Sequence, residues 1–193
     1  MPPAAESSAV RPWPLRQARR LLLAGGVIAY PTEAVWGLGC DPFDPVAVAR
    51  LLALKGRTAD KGLILISDRL ERVEPLLAPL PAARRKAVLA TWPGPHTWLW
   101  PAQDWVPDWL TGGRPTLAVR VTAHPLAAAL CAVAGRPLVS TSANPSGHRP
   151  ARSALKCMKY FEGQLDGVLH GRLGGLDRPT TIRDALSGAL LRR

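Results

Sequence analysis

Short apolar runs of strand length recur along this chain, with helix-length segments between most of them. Val27–Tyr30, Leu63–Ile66 and Pro137–Ser140 are brief and almost wholly apolar, which suits strands buried on both faces. Thr97–Trp100 can form another strand behind the Pro93-Gly94-Pro95 turn. Thr116–Thr122 alternates instead: Leu117, Val119 and Val121 take one face, and Ala118, Arg120 and Thr122 the other. Helical patterns fall between these runs. One extends from Pro14 to about Ala24, with Leu15, Ala18, Leu22 and Leu23 as its buried side and Gly25-Gly26 as its stop. Another begins at the Asp44 cap with Pro45 at its first position, and its Val48, Leu51, Leu52 and Lys55 share a face. Glu71–Ala78, Ala82–Thr91, Pro125–Ala134 and the stretch from Ser153 to about Phe161 read as further helices. Gly167–His170 and the segment after Pro179 read as further strands. This irregular alternation predicts one α/β domain over residues 1–193, with a twisted mixed β-sheet flanked by helices. Val27–Tyr30 is expected to be a central strand, residues 31–40 a tight connection, and the Pro-, Ala- and Ser-rich residues 1–11 loose.

Composition narrows the function. A hydrophobic content of 47% against 20% charged residues excludes a disordered chain. Cys40, Cys131 and Cys157 are scattered, so neither a disulfide framework nor a zinc knuckle is indicated, and a reducing, cytoplasmic compartment is expected. Neither a secretory signal nor an apolar run of about eighteen residues is present, so no membrane association is expected. The charge is the outlier. Lys and Arg number 25 against 14 Asp and Glu, a formal net charge of +11, which implies an anionic partner such as a nucleotide, a nucleic acid or a membrane surface. The excess of arginine over lysine leaves a compositional bias as the alternative.

Leu54–Ile66 concentrates that charge. Lys55, Arg57 and Lys61 pass through a Gly-containing loop between a helix end and a strand. Such close cations read either as a receptor for a polyanion such as a triphosphate or as a solvated basic loop. Arg120 projects from mid-strand among small residues; it either pairs with a carboxylate elsewhere or lines a cavity for an anion, since burying it unpaired is costly. The strand at 137–140 opens into Ser140-Thr141-Ser142-Ala143-Asn144. The hydroxyls and amides of that loop suit phosphate or carboxylate oxygens, an ordinary polar turn being the alternative. The tryptophans around Trp98 and Trp100 read mostly as core, stacking on a base being the alternative that the sequence leaves open. Gly37-Leu38-Gly39 lacks a dinucleotide spacing, and no Walker A sequence or Gly-x-Ser-x-Gly elbow occurs. His96, His124, His148 and His170 show neither triad nor metal spacing, so no metal site of protein side chains is expected.

Several of these stretches, in this order, resemble the YrdC/TsaC family: Pro31-Thr32-Glu33, Lys55-x-Arg57, Trp92-Pro93-Gly94-Pro95, Leu117-Ala118-Val119-Arg120-Val121, Ser140-Thr141-Ser142-Ala143-Asn144 and Pro179-Thr180-Thr181-Ile182. The resemblance runs from about Leu15 onward and is to the short bacterial form. It implies a fold with a basic concave cavity and the formation of L-threonylcarbamoyladenylate and pyrophosphate from L-threonine, bicarbonate or CO2, and ATP with Mg2+. The threonylcarbamoyl group then passes, through a partner protein complex, to the adenosine beside the tRNA anticodon. By the same resemblance Lys55 and Arg57 are the catalytic cations. They bind ATP together with Lys61, Thr116, Ser142, Asn144 and Arg192, while Thr32, Arg120, Ser140 and Thr180 hold threonine. Three departures stand out: Ala34 replaces a threonine, Ile66 replaces a histidine, and Thr58 replaces a proline, which is expected to loosen the cationic loop; Thr180 for serine is mild. A second reading uses the charge without catalysis, as a module that grips tRNA or double-stranded RNA. It predicts steeply salt-dependent binding and no pyrophosphate release.

Overall fold

The computed structural model describes residues 12–192; the loose start expected at residues 1–11, and Arg193, lie outside the described residues. In chain order the elements are α1 (Pro12–Leu23), β1 (Ile28–Pro31), β2 (Trp36–Gly39), α2 (Pro45–Lys55), β3 (Ile64–Ser67), α3 (Ala82–Leu89), β4 (His96–Pro101), α4 (Asp108–Thr111), β5 (Thr116–Val121), α5 (Pro125–Ala134), β6 (Leu138–Ser142), α6 (Ala154–Tyr160), β7 (Gly167–Val168), β8 (Thr181–Asp184) and β9 (Leu190–Arg192). The strands form one open mixed sheet in the order β7-β1-β2-β6-β3-β5-β4-β8-β9.

Several elements differ from expectation. β1 is second from an edge, not central, because the parallel β7 alone lies outside it; β3 holds the middle. The expected connection at 31–40 contains β2, which pairs antiparallel with β1. Its glycines argue against a strand, but they are required by close packing: a Cβ on Gly39 would lie 2.6 Å from the Val139 carbonyl oxygen and 2.8 Å from the Tyr30 ring. Glu71–Ala78 is not a helix; it forms two 3-10 turns, Leu70–Arg72 and Glu74–Leu76, because Pro75 and Pro79 cannot donate to a helical ladder. Leu23 is 47% exposed, as it lies about 100° around the helix from Leu22.

The two faces of the sheet are covered unequally. On one face Leu38, Leu65, Leu117, Val119, Val139, Trp98 and Trp100 join Val48, Leu51 and Leu52 of α2, Val88 of α3 and Cys157 of α6 in one core cluster. On the other, Ile28, Tyr30, Ile66 and Leu138 join Leu15, Ala18 and Leu22 of α1 with Leu130, Cys131 and Ala134 of α5. No β4 or β5 residue enters this second cluster. Their residues on this side, with those of neighbouring strands, are left facing an open hollow. No helix among the described residues is long and apolar enough to cross a membrane.

Candidate active site

The uncovered half-face is the floor of a cavity of about 560 Å³. β5 contributes Thr116, Ala118 and Arg120; β6 contributes Ser140, Thr141 and Ser142; the β1–β2 loop contributes Thr32, Ala34 and Val35. Thr180, Ile182, Leu191 and Arg192 close one side, and Arg57, Lys61, Thr111 and Arg114 the other. Among the described residues the lining carries five cations, Arg57, Lys61, Arg114, Arg120 and Arg192, and no carboxylate.

The cationic loop is shaped by its glycines and by α4. α2 begins at Asp44, whose carboxylate accepts from the Val46 and Ala47 amides at 2.9 and 3.0 Å, and ends on the left-handed Gly56. Arg57 then folds back, its Nη2 donating to the carbonyls of Lys61 (3.2 Å) and Gly62 (2.8 Å). Burial lowers its pKa; Asp60 opposes this and Arg114 adds to it. Gly62 adopts φ 64, ψ 169, a region essentially confined to glycine, and the Leu63 amide donates to Leu110 at 2.8 Å. The loop is thereby pinned to α4. Thr58 sits at φ −80, ψ 153, a φ near the value proline imposes. Its hydroxyl bonds the Asp60 carboxylate and helps hold that group below the usual carboxylate range.

Arg120 organises the other end. Its Nη1 donates to Thr180 Oγ1 at 2.7 Å and to Thr97 Oγ1 at 3.4 Å. Its Nη2 lies 3.4 Å from Glu33 Oε2, both side chains being buried. Glu33 Oε1 accepts from Thr122 Oγ1 at 2.6 Å, and Thr122 Oγ1 accepts from the His124 amide. His124 caps α5: Nδ1 accepts from the Ala127 amide at 3.3 Å and Nε2 faces the Arg172 carbonyl at 3.0 Å. That arrangement selects the neutral Nε2–H tautomer, and burial lowers the pKa. Arg120 therefore does both things its position allowed: it pairs with a carboxylate and it lines the cavity. Its Nε is buried and has no acceptor. Thr32 donates its hydroxyl to the Val35 carbonyl at 2.7 Å, closing the β1–β2 turn.

Nine of the residues assigned from sequence share this cavity: Thr32, Arg57, Lys61, Thr116, Arg120, Ser140, Ser142, Thr180 and Arg192. Arg192 donates to the Thr180 carbonyl at 3.2 Å, and its pKa is lowered by burial, then by Arg120 and Arg57. Lys55 and Asn144 stand behind the wall. Lys55 is 4% exposed, and its Nζ donates to the carbonyls of Ser142 and Asn144. Burial, then Arg57, lower its pKa to about 8. Asn144 Nδ2 donates to Pro145 and His148, leaving Oδ1 buried without a donor. Ile66 is fully buried in the α1–α5 cluster, whereas Ala34 lines the cavity. Trp98 and Trp100 are buried, donating to Thr91 Oγ1 and the Ala78 carbonyl, and lie off the lining. Local sequence pattern singles out neither Arg114, which lies in a Gly-Gly-Arg-Pro turn, nor Glu33 as the counterion of Arg120.

The family model described as telomere recombination, that of the Sua5, YciO and YrdC proteins, matches residues 20–193. A Halorhodospira halophila protein named threonylcarbamoyl-AMP synthase is 60% identical over 183 residues, 95% of this chain and 96% of its own length. One of the same name from Stutzerimonas stutzeri is 54% identical over 180 residues, 93% and 97% of the two chains. Among solved structures, P. abyssi Sua5 complexed with L-threonine has a TM-score of 0.84 at 35% identity, covering 89% of this chain and 51% of that one; this chain thus spans about half of it. E. coli YciO has a TM-score of 0.80 at 27% identity, covering 93% and 88%.

Proposed function

The chain belongs to the Sua5/YciO/YrdC family and forms threonylcarbamoyl-AMP, and we propose that the cavity does so by holding L-threonine at its Arg120 end and ATP at its Arg57 end. The observation that carries this is the division of the lining. A hydroxyl-rich end surrounds a buried arginine with an unfilled Nε donor; a cationic end lies across the mouth, and no carboxylate of the lining separates them.

Threonine's carboxylate supplies the acceptor that Arg120 Nε lacks, with Thr32, Ser140 and Thr180 around it. Its amine combines with CO2 or bicarbonate to give a carbamate. The carbamate oxygen attacks the α-phosphorus of ATP, and the bond from that phosphorus to the bridging oxygen breaks, releasing pyrophosphate. The protein contributes alignment and charge neutralisation rather than covalent chemistry. An entering triphosphate relieves the repulsion among Arg57, Arg120 and Arg192. Thr116 and Ser142 offer hydroxyls to the nucleotide. Lys55 acts from behind, fixing the Ser142–Asn144 backbone. With no carboxylate in the lining among the described residues, these residues do not form a magnesium site; Mg2+ enters as the companion of ATP. The product's threonylcarbamoyl group passes to tRNA adenosine with partner proteins, in the cytoplasm, and AMP is released. The formal net charge of +11 supports direct contact with tRNA.

The test is pyrophosphate release from ATP with threonine and bicarbonate added singly and together. Release should need both and fall strongly in Arg57→Ala. Threonine-independent release, or an unchanged Arg57→Ala rate, sinks the assignment.

A further inference from the structure

We infer that Arg114 grips the pyrophosphate half of the nucleotide at the cavity mouth and accompanies its departure. The inference rests on the reading of the cavity as an ATP site. Within it Arg57 and Arg114 are differently employed. Arg57 is half-buried and lends its Nη2 to two carbonyls of its own loop, while its buried Nε is left without a partner, so its guanidinium is held in one place. Arg114 is exposed, lines the cavity, and has no hydrogen-bond or ion-pair partner among the described residues. Its position is nonetheless built. Gly112 and Gly113 both take positive φ, +69 and +70, and turn the chain back onto the cationic loop. A Cβ on Gly112 would lie 2.5 Å from the Asp60 carbonyl oxygen, 2.6 Å from the Gly62 nitrogen and 2.9 Å from Arg114 Nη1. The guanidinium therefore sits over the glycine that presses against the Lys61–Gly62 backbone. Its charge is felt by both Arg57 and Asp60.

The chemistry needs such a group at that place. When the bond from the α-phosphorus to the bridging oxygen breaks, the electron pair leaves with pyrophosphate, and the new negative charge develops away from Arg120 and Ser142. A guanidinium with every donor free can take two non-bridging oxygens at once, which Arg57, its Nη2 committed to the carbonyls of its own loop, does less readily. Exposure at the mouth lets the same contact carry the product outward.

The experiment is product inhibition by pyrophosphate and by AMP, measured on wild type, Arg114→Ala, Arg114→Lys and Arg57→Ala, with melting temperatures alongside. Arg114→Ala should melt as wild type, since its guanidinium bonds nothing in the fold. It should weaken pyrophosphate inhibition about tenfold, equivalent to about 1.4 kcal/mol, while AMP inhibition and the threonine KM stay near wild type; Arg114→Lys should fall between. Unchanged pyrophosphate inhibition, or equal weakening for AMP and pyrophosphate, overturns the inference. If Arg57→Ala also leaves both inhibitions unchanged, the ATP-site reading fails with it.

Discussion

Replacing Glu33 by Gln tests the buried Glu33–Arg120 pair at the proposed threonine end of the cavity. Glutamine keeps the volume and, through its Oε1, can still accept from Thr122, now at 2.6 Å. What it removes is the carboxylate facing Arg120. The two side chains are 7% and 6% exposed, so Arg120 is left as a buried charge with only the Thr180 and Thr97 hydroxyls as partners. Breaking a buried pair on one side costs about 3–5 kcal/mol, against about 1 kcal/mol or less for an exposed one. The 3.4 Å separation and the neighbouring cavity place this pair near the lower figure, about 3 kcal/mol. For a chain of this length that is about 6–12 °C in Tm. Urea unfolding at neutral pH measures the loss, and threonine should raise the Tm of the variant more than that of wild type, because its carboxylate restores the missing charge. A loss below about 1 kcal/mol, with an unchanged denaturant slope, would refute the reasoning.

Gly62→Ala forces a side chain into a glycine-only conformation at 3.0 Å from the Thr111 carbonyl. It should cost about 1–3 kcal/mol and raise the ATP KM but not the threonine KM; an unchanged ATP KM would place the loop away from the phosphates. Lys55 titrates near 8 rather than 10.5, so between those pH values the folded chain holds fewer protons than the unfolded one, and this group's contribution to stability rises with pH there and is flat below. The stability difference between wild type and Lys55→Met should therefore climb by roughly 3 kcal/mol across that window, and a flat difference would contradict the burial argument. Thr58→Pro suits the existing φ of −80 and should add about 0.4–1 kcal/mol by restricting the unfolded chain, read as a higher urea midpoint at constant slope; a lower midpoint would mean that the Thr58–Asp60 bond stabilises the loop more.

Legibility followed range. Local signals carried well: Asp44 caps α2 and Ser153 caps α6, Pro125–Ala134 is α5 residue for residue, and the alternation around Arg120 placed it on the cavity face of β5. Periodicity puts Lys55 on the face of Val48, Leu51 and Leu52, but that face is a buried one, so the lysine is held behind the wall and not presented to the cavity. What failed was set by contacts distant in sequence. β2 is a strand despite two glycines because Tyr30 and Val139 press against Gly39. Glu33 reaches Arg120 only through the sheet, and Arg114 acquires meaning only when Gly112 meets the cationic loop. The cavity itself follows from α1 and α5 covering part of one face, which no local pattern states.

The central claim is that one cavity joins a carbamate of threonine to AMP. Incubation with ATP, threonine and carbon-13 bicarbonate, with the adenylate product identified by mass spectrometry, tests it most directly. The expected product is a threonylcarbamoyl adenylate that carries the label. An unlabelled threonyl adenylate, or ADP and AMP alone, would contradict it.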